Sequence, residues 1–229
     1  MSSDPESNDN DPVTPTREGP IVVLGATSGI GARVVDTALD QGLSVRGFAR
    51  SAGKLPARAG LEPVAGDARN PQDLARALTG ARAVIYALGI KERPAMLWAH
   101  ETLFSETTAV LIDAMRAANL TRLVAVTGFG AGRSRTAMST VEKLGHGALL
   151  GRVYADKTRQ ENLIMQSALD WTIARPVILT HGAPGGRVRV LTRPDEWRNG
   201  LISRSDVAEY LVRAVTDGLN IREDVVLAR

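Results

Sequence analysis

Gly25, Gly29 and Gly31 are the residues whose types and spacing suggest chemistry most directly. They lie in the stretch Ile21-Val22-Val23-Leu24-Gly25-Ala26-Thr27-Ser28-Gly29-Ile30-Gly31-Ala32-Arg33-Val34-Val35. A glycine turn lets the backbone approach a pyrophosphate closely. A helix that opens directly after it offers free N–H groups and a partial positive charge to the same anion. An ordinary strand-to-helix turn is the competing reading, and the apolar run before it and the helical pattern after it weigh against that.

Other groups suit a dinucleotide laid along one edge. An NAD site usually places Asp or Glu about 20 residues past the glycines, for the ribose 2′-hydroxyl. Here that place holds Phe48-Ala49-Arg50-Ser51, with Lys54 close behind. A guanidinium there pairs with a 2′-phosphate through charge-assisted hydrogen bonds, which favours NADP(H) over NAD(H); a solvated strand-end arginine is the alternative. The Asp67 carboxylate suits an adenine amino group, with Ala68 offering its backbone, although an ordinary turn aspartate has the same residue type. Ala87-Leu88-Gly89 is small enough to admit the cofactor ribose.

These groups reach one edge only if a parallel sheet carries them there. Ile21–Leu24 is a short apolar run of the kind found in central strands. From Ile30 the period changes, and Ile30, Val34, Val35, Ala38 and Leu39 share a helical face. Further strands are expected at 43–50, 63–67, 83–88, 122–126 and 170–175. Their alternation with helices implies right-handed crossovers. Asn70, Pro71 and Asp73 open a helix whose apolar face is Leu74, Ala77 and Leu78. A helix over 101–118 places Leu103, Thr107, Val110, Leu111, Ala114 and Ala118 on one face and ends at Asn119. Residues 129–152, rich in Gly, Ser and Arg, read as a long loop with a short helix near 139–144. A helix over 155–168 then turns Leu163 and Ile164 inward. A short strand at 188–191, a final helix capped by Ser205 and an edge strand at 224–227 complete the pattern.

The expected architecture is α/β: a single Rossmann-like domain over 20–229, with a doubly wound, mostly parallel sheet and helices on both faces. Residues 1–19 hold too little apolar surface to offset their ordering entropy and read as a disordered tail. The chain has no cysteine, which excludes disulfides, thiolate metal sites and cysteine nucleophiles. His100, His146 and His181 have no ligand spacing, so no metal is expected. A net charge of +3 with scattered basic residues argues against dedicated nucleic-acid binding. No run approaches the ~20 apolar residues of a membrane span. The N-terminus lacks the basic and apolar regions of a signal peptide. The expectation is a cytoplasmic protein with a small-molecule substrate and neither a nucleic-acid nor a membrane partner; its oligomeric state is not legible.

The chain also resembles a known family. Gly-Ala-Thr-Ser-Gly-Ile-Gly at 25–31, Gly66-Asp67, Ser167-Ala168-Leu169-Asp170-Trp171-Thr172-Ile173-Ala174-Arg175-Pro176 and Ile202-Ser203-Arg204-Ser205-Asp206-Val207-Ala208 resemble the short-chain dehydrogenase/reductase superfamily. The likeness covers roughly residues 20–215 and falls on the atypical NAD(P)H-binding branch that contains biliverdin reductase B and NmrA-like proteins. It implies cofactor contacts at Gly25, Thr27, Ser28, Gly29, Ile30, Gly31, Arg50, Asp67, Ala68, Ala87, Leu88 and Gly89. It also implies that the turn of Pro176, Val177 and Ile178 lies beside the nicotinamide. Typical members use a Ser and then Tyr-x-x-x-Lys. Thr127 stands where that Ser would, while Tyr154 and Lys157 are three residues apart, not four. Thr127, Tyr154 and Lys157 are therefore the implied catalytic residues, with Thr127 and Lys157 also facing the cofactor. The implied function is an NADP(H)-dependent oxidoreductase that reduces a small carbonyl or conjugated organic compound by direct hydride transfer. The rival is a non-catalytic NADP(H)-binding regulator or redox sensor of NmrA-like type.

Overall fold

Strand β1, Ile21–Leu24, is buried along its whole length. Its side chains alternate between two cores, Ile21 and Val23 facing one and Val22 and Leu24 the other. A strand buried on both faces needs a helical layer on each. The computed structural model describes residues 18–89, 102–138, 140–182, 185–186 and 188–229, with the backbone alone over 140–150. The tail expected at 1–19 falls almost wholly outside the described residues, as does His100.

The main sheet has eight strands in the order β3-β2-β1-β4-β5-β6-β10-β8. These are β2 (Val45–Ala49), β3 (Leu61–Ala65), β4 (Ala83–Tyr86), β5 (Arg122–Val126), β6 (Asp170–Pro176), β8 (Arg189–Leu191) and β10 (Glu223–Ala228) beside β1. Only the β10–β8 pairing among them is antiparallel. Helices α1 (Gly29–Asp40) and α5 (Arg204–Thr216) pack together over one face. Helices α2 (Pro71–Leu78), α3 (Leu103–Ala117) and α4 (Thr140–Gln166) cover the other. The strand order reverses between β1 and β4, which opens a crevice at their carboxyl ends.

Local signals explain most element ends. The Asn70 side chain accepts hydrogen bonds from the backbone N–H groups of Gln72 and Asp73 at 2.9 and 3.4 Å, and Pro71 follows it at the start of α2. Asn119, with φ 52°, turns the chain out of α3.

The structure corrects the reading in four places. The long loop expected over 129–152 is confined to residues before Thr140, where Gly132–Ala137 forms a 3-10 turn, and α4 runs on for 27 residues. Three glycines at 145, 147 and 151 weaken helical propensity there by about 1 kcal/mol each. Further along, α4 buries Asp156, Gln160 and Glu161 completely, so its inward face carries little apolar periodicity. Tertiary packing sustains this helix, as it does most helices in proteins. The final helix is capped by Ser203 rather than Ser205: Ser203 Oγ accepts the Asp206 N–H at 3.0 Å and donates to the Asp206 carboxylate at 2.8 Å. The strand at 224–227 is interior, lying between β6 and β8, because Arg189–Leu191 returns antiparallel along it. Two further strands, β7 (Ile178–Thr180) and β9 (Leu201–Ser203), form a separate parallel pair too short to show a period. No helix among the described residues is long and apolar enough to cross a membrane.

Candidate functional site

The glycine turn is built for close approach. Gly25 has φ +87°, and a Cβ there would lie 2.6 Å from the Ala87 carbonyl oxygen. A Cβ on Gly31 would lie 2.2 Å from the Gly25 carbonyl oxygen, so α1 starts directly against the turn. Ser28 and Gly29 are exposed, and Thr27 and Ile30 are half-buried. The Ser28 side chain makes no capping hydrogen bond, and no acidic residue stands in the first turn of α1. The helix end therefore keeps its N–H groups and its positive field for an anion.

Neighbouring strands bring the other expected contacts to the same edge. Arg50 is exposed immediately after β2, and Thr27 Oγ1 lies 3.0 Å from Ser51 Oγ, which ties the two turns together. Lys54 is exposed one turn further on. Ala87 and Leu88 continue β4 beside Gly25; Ala87 donates its N–H to the Leu24 carbonyl at 3.0 Å, and Gly89 is exposed. Asp67 and Ala68 stand just past β3. The Asp67 carboxylate accepts the Arg69 N–H at 2.9 Å, so it also shapes its own turn.

Thr127, Tyr154 and Lys157 meet at the carboxyl end of β5. Lys157 Nζ donates to the Thr127 carbonyl at 2.6 Å and lies 5.1 and 5.6 Å from the Phe104 and Tyr154 ring centroids. Burial lowers its ammonium to about 8, while the nearby Glu161 charge pulls the other way. A Cβ built on Gly128 would lie 3.0 Å from the Tyr154 hydroxyl oxygen, so that phenol sits over the chain leaving β5. Burial raises the Tyr154 phenol, which keeps it protonated. The Thr127 hydroxyl donates inward, to Glu161 Oε1 at 2.6 Å. At the end of β6, Pro176 and Val177 are buried, while Ile178 is 56% exposed and pairs across β7–β9 with Leu201, itself 57% exposed.

Behind this edge lies an ionic chain that the sequence reading missed. The fully buried Arg175 donates to Glu161 through Nε and Nη2 at 2.9 and 2.8 Å, and to Asp224 through Nη1 at 2.5 Å. Arg133 pairs with the other side of Asp224. Burial opposes ionisation of Asp224, but its bonds to Arg133 and Arg175 hold its carboxyl below the ordinary value. Both guanidiniums lie over the Trp197 ring, Arg175 at 5.1 Å and Arg133 at 5.6 Å from its centroid. The available signal was an arginine inside the apolar run Ile173-Ala174-Arg175-Pro176, since a buried charge demands a paired acid.

Comparison with known proteins shows the family and the fold. A family model described as NAD(P)H-binding matches residues 25–218. A curated relative, the 3-beta-hydroxysteroid dehydrogenase of Mycolicibacterium neoaurum, is 36% identical over 80 residues, which make up 35% of this chain and only 22% of that protein. An uncharacterised chloroplastic protein of Arabidopsis thaliana is 29% identical over 205 residues, 85% of this chain and 71% of its own. Among solved structures, the anaerobillin reductase ChuY of Escherichia coli O157:H7 superposes with a TM-score of 0.75 at 25% identity, covering 91% of this chain and 96% of its own.

Proposed function

The chain belongs to the NAD(P)H-binding family, and we propose that it is an NADP(H)-dependent reductase of a small carbonyl or conjugated organic compound. One observation carries the reading. Lys157 and Tyr154 converge on the residues leaving β5, on the same sheet edge as the glycine turn. The cradle at Gly25 and Gly31, which a Cβ would fill, fits a dinucleotide.

Each residue has a role that follows from its surroundings. The open N–H groups of α1 hold the pyrophosphate. Arg50 pairs with a 2′-phosphate and so selects NADP(H). Lys157, seated on the Thr127 carbonyl, presents its remaining N–H groups to the ribose. When bound, the nicotinamide supplies the hydride, and the protein orients it. The Tyr154 phenol, kept protonated by burial, donates a proton to the substrate atom that gains negative charge. Ile178 faces outward beside this edge and offers the substrate an apolar contact. The likeness to a reductase supports the same direction of chemistry.

A second reading is favoured by one observation. The hydroxyl of Thr127, where reductases of this kind carry a Ser, is committed to Glu161, as suits a regulator that binds the cofactor without turnover. NADPH oxidation followed by absorbance, with quinones, flavins and aldehydes as acceptors, separates the two. Acceptor-dependent oxidation supports the reductase; tight NADPH binding with no oxidation by any acceptor favours the regulator.

A further inference from the structure

We infer that Glu161 is a positioning residue for Lys157: clamped by Arg175, it takes the Thr127 hydroxyl and thereby fixes the carbonyl on which the Lys157 ammonium is seated. The inference rests on Lys157 as a cofactor-side residue but adds a part to the site that its motif lacks.

The geometry leaves Glu161 one orientation. Arg175 grips both carboxylate oxygens, at 2.9 and 2.8 Å, in the bidentate arrangement that fixes direction as well as distance. The Trp197 ring lies against the Arg175 guanidinium, and Asp224 holds its far side. The loop after β5 closes over the second oxygen: a Cβ on Gly132 would lie 1.9 Å from Glu161 Oε2. Gly132 also donates its N–H to Thr158 Oγ1 at 3.0 Å, which ties that loop to α4. Glu161 Oε1 is then left facing Thr127, whose hydroxyl it accepts at 2.6 Å. Thr127 is held at both ends, since its N–H donates to the Ala174 carbonyl at 3.0 Å and its own carbonyl accepts Lys157.

Among the described residues, the charges around Lys157 are few. Glu161 is one helical turn away on its own helix, and Tyr154 is a neutral phenol. The chain leaving β5 contributes Thr127, and α3 contributes the Phe104 ring. Asp156, next in the chain, points instead at the start of α3 and pairs with Arg159 at 3.1 Å. Arg175, Asp224 and Arg133 lie behind Glu161. Glu161 is thus the anion that offsets the burial of the Lys157 ammonium.

Lys157 is one of four lysines, so its titration can be read by competitive acetic anhydride labelling and peptide mass spectrometry, with no cofactor needed. Glu161→Gln keeps the shape and removes the charge, and the Lys157 midpoint should fall. Thr127→Val leaves the Glu161–Arg175 pair intact and tests the link even if the Glu161 variant fails to fold. It should speed Lys157 labelling severalfold at fixed pH and weaken NADPH roughly three- to tenfold, the scale of one hydrogen bond. Thr127→Ser should restore both. If folded Thr127→Val shows wild-type labelling and wild-type NADPH affinity, Glu161 is only a partner of Arg175 and the inference is wrong. If the wild-type protein binds no NADPH, the functional reading fails, and the labelling arm alone decides the role of Glu161.

Discussion

Asp156 on α4 accepts the backbone N–H of Phe104 at 2.8 Å, so the helix that carries Tyr154 and Lys157 also caps the first turn of α3. The same carboxylate accepts the Ser105 hydroxyl at 2.5 Å and the Ser105 N–H at 3.4 Å. The Thr102 side chain makes no cap of its own, so α4 supplies the anion that the α3 N-terminus needs. Asp156→Ala should therefore lower stability by about 1–3 kcal/mol, since it leaves buried donors unpaired. It should also loosen the Phe104 ring beneath Lys157. Urea unfolding checks the first effect and NADPH titration the second; an unchanged midpoint would show that water caps α3 equally well.

On the proposed function, Arg50 selects the cofactor. Arg50→Ala should weaken NADPH by roughly 1.5–3 kcal/mol, the scale of a charged hydrogen bond, and leave NADH nearly unaffected. Calorimetric titration with both cofactors decides it. Equal losses would move selection elsewhere on the edge.

The proton donor is tested by Tyr154→Phe, which removes the hydroxyl and keeps the ring over Gly128. Single-turnover NADPH oxidation should slow by roughly 10²–10⁴-fold with affinity preserved. Lys157→Ala should reduce both. Identical single-turnover rates for wild type and Tyr154→Phe would remove the phenol from the mechanism.

Lys157 also makes two pH predictions of opposite sense. Its folded value, about 8, lies below the ordinary lysine value of 10.5, so the folded state binds fewer protons than the unfolded chain between those limits. Its burial penalty is greatest below about pH 8 and fades toward 10.5, so wild type should gain stability relative to Lys157→Met as pH rises through that window. On the proposed function, NADPH affinity should instead fall as pH rises through about 8, because the ammonium proposed to bind the ribose is lost. Chemical denaturation and cofactor titration across the window check the two slopes. A flat difference between wild type and Lys157→Met would mean that this lysine titrates normally.

We propose that the folded domain begins at Gly19. A Cβ there would lie 2.4 Å from the Gly80 carbonyl oxygen, and the next residue, Pro20, accepts the Arg82 N–H at 3.1 Å. Removing residues 1–18 should leave the melting temperature and NADPH affinity unchanged. A clear drop in either would show that the tail docks on the domain.

The parts of this fold that were legible in the sequence are those whose residues are apolar or carry their own turn chemistry. Ile21–Leu24 and the glycines after it announce a strand and a helix start, and Asn70-Pro71 announces α2. The face of α4 is different. Its inward residues Asp156, Gln160 and Glu161 resemble solvent-facing ones until their partners on α3, β5 and β6 are known. The candidate site divides in the same way. The Gly25–Gly31 turn depends on local backbone geometry, whereas the seat of Lys157 depends on Thr127, 30 residues earlier in the chain, and the clamp on Glu161 depends on Arg175 and, through it, Asp224.

The interior position of β10 imposes an order on biosynthesis. Every other strand of the sheet leaves the ribosome before it, yet β10 lies between β6 and β8 and brings Asp224 to Arg175. Without Glu223–Ala228, the sheet would end at β6 with an open edge, and Arg175 would keep its pair with Glu161 but lose the one with Asp224. The glycine turn needs only β1, β2 and β4, so a dinucleotide cradle can assemble on the tethered chain. The edge at β6 stays open to mispairing until the last strand docks.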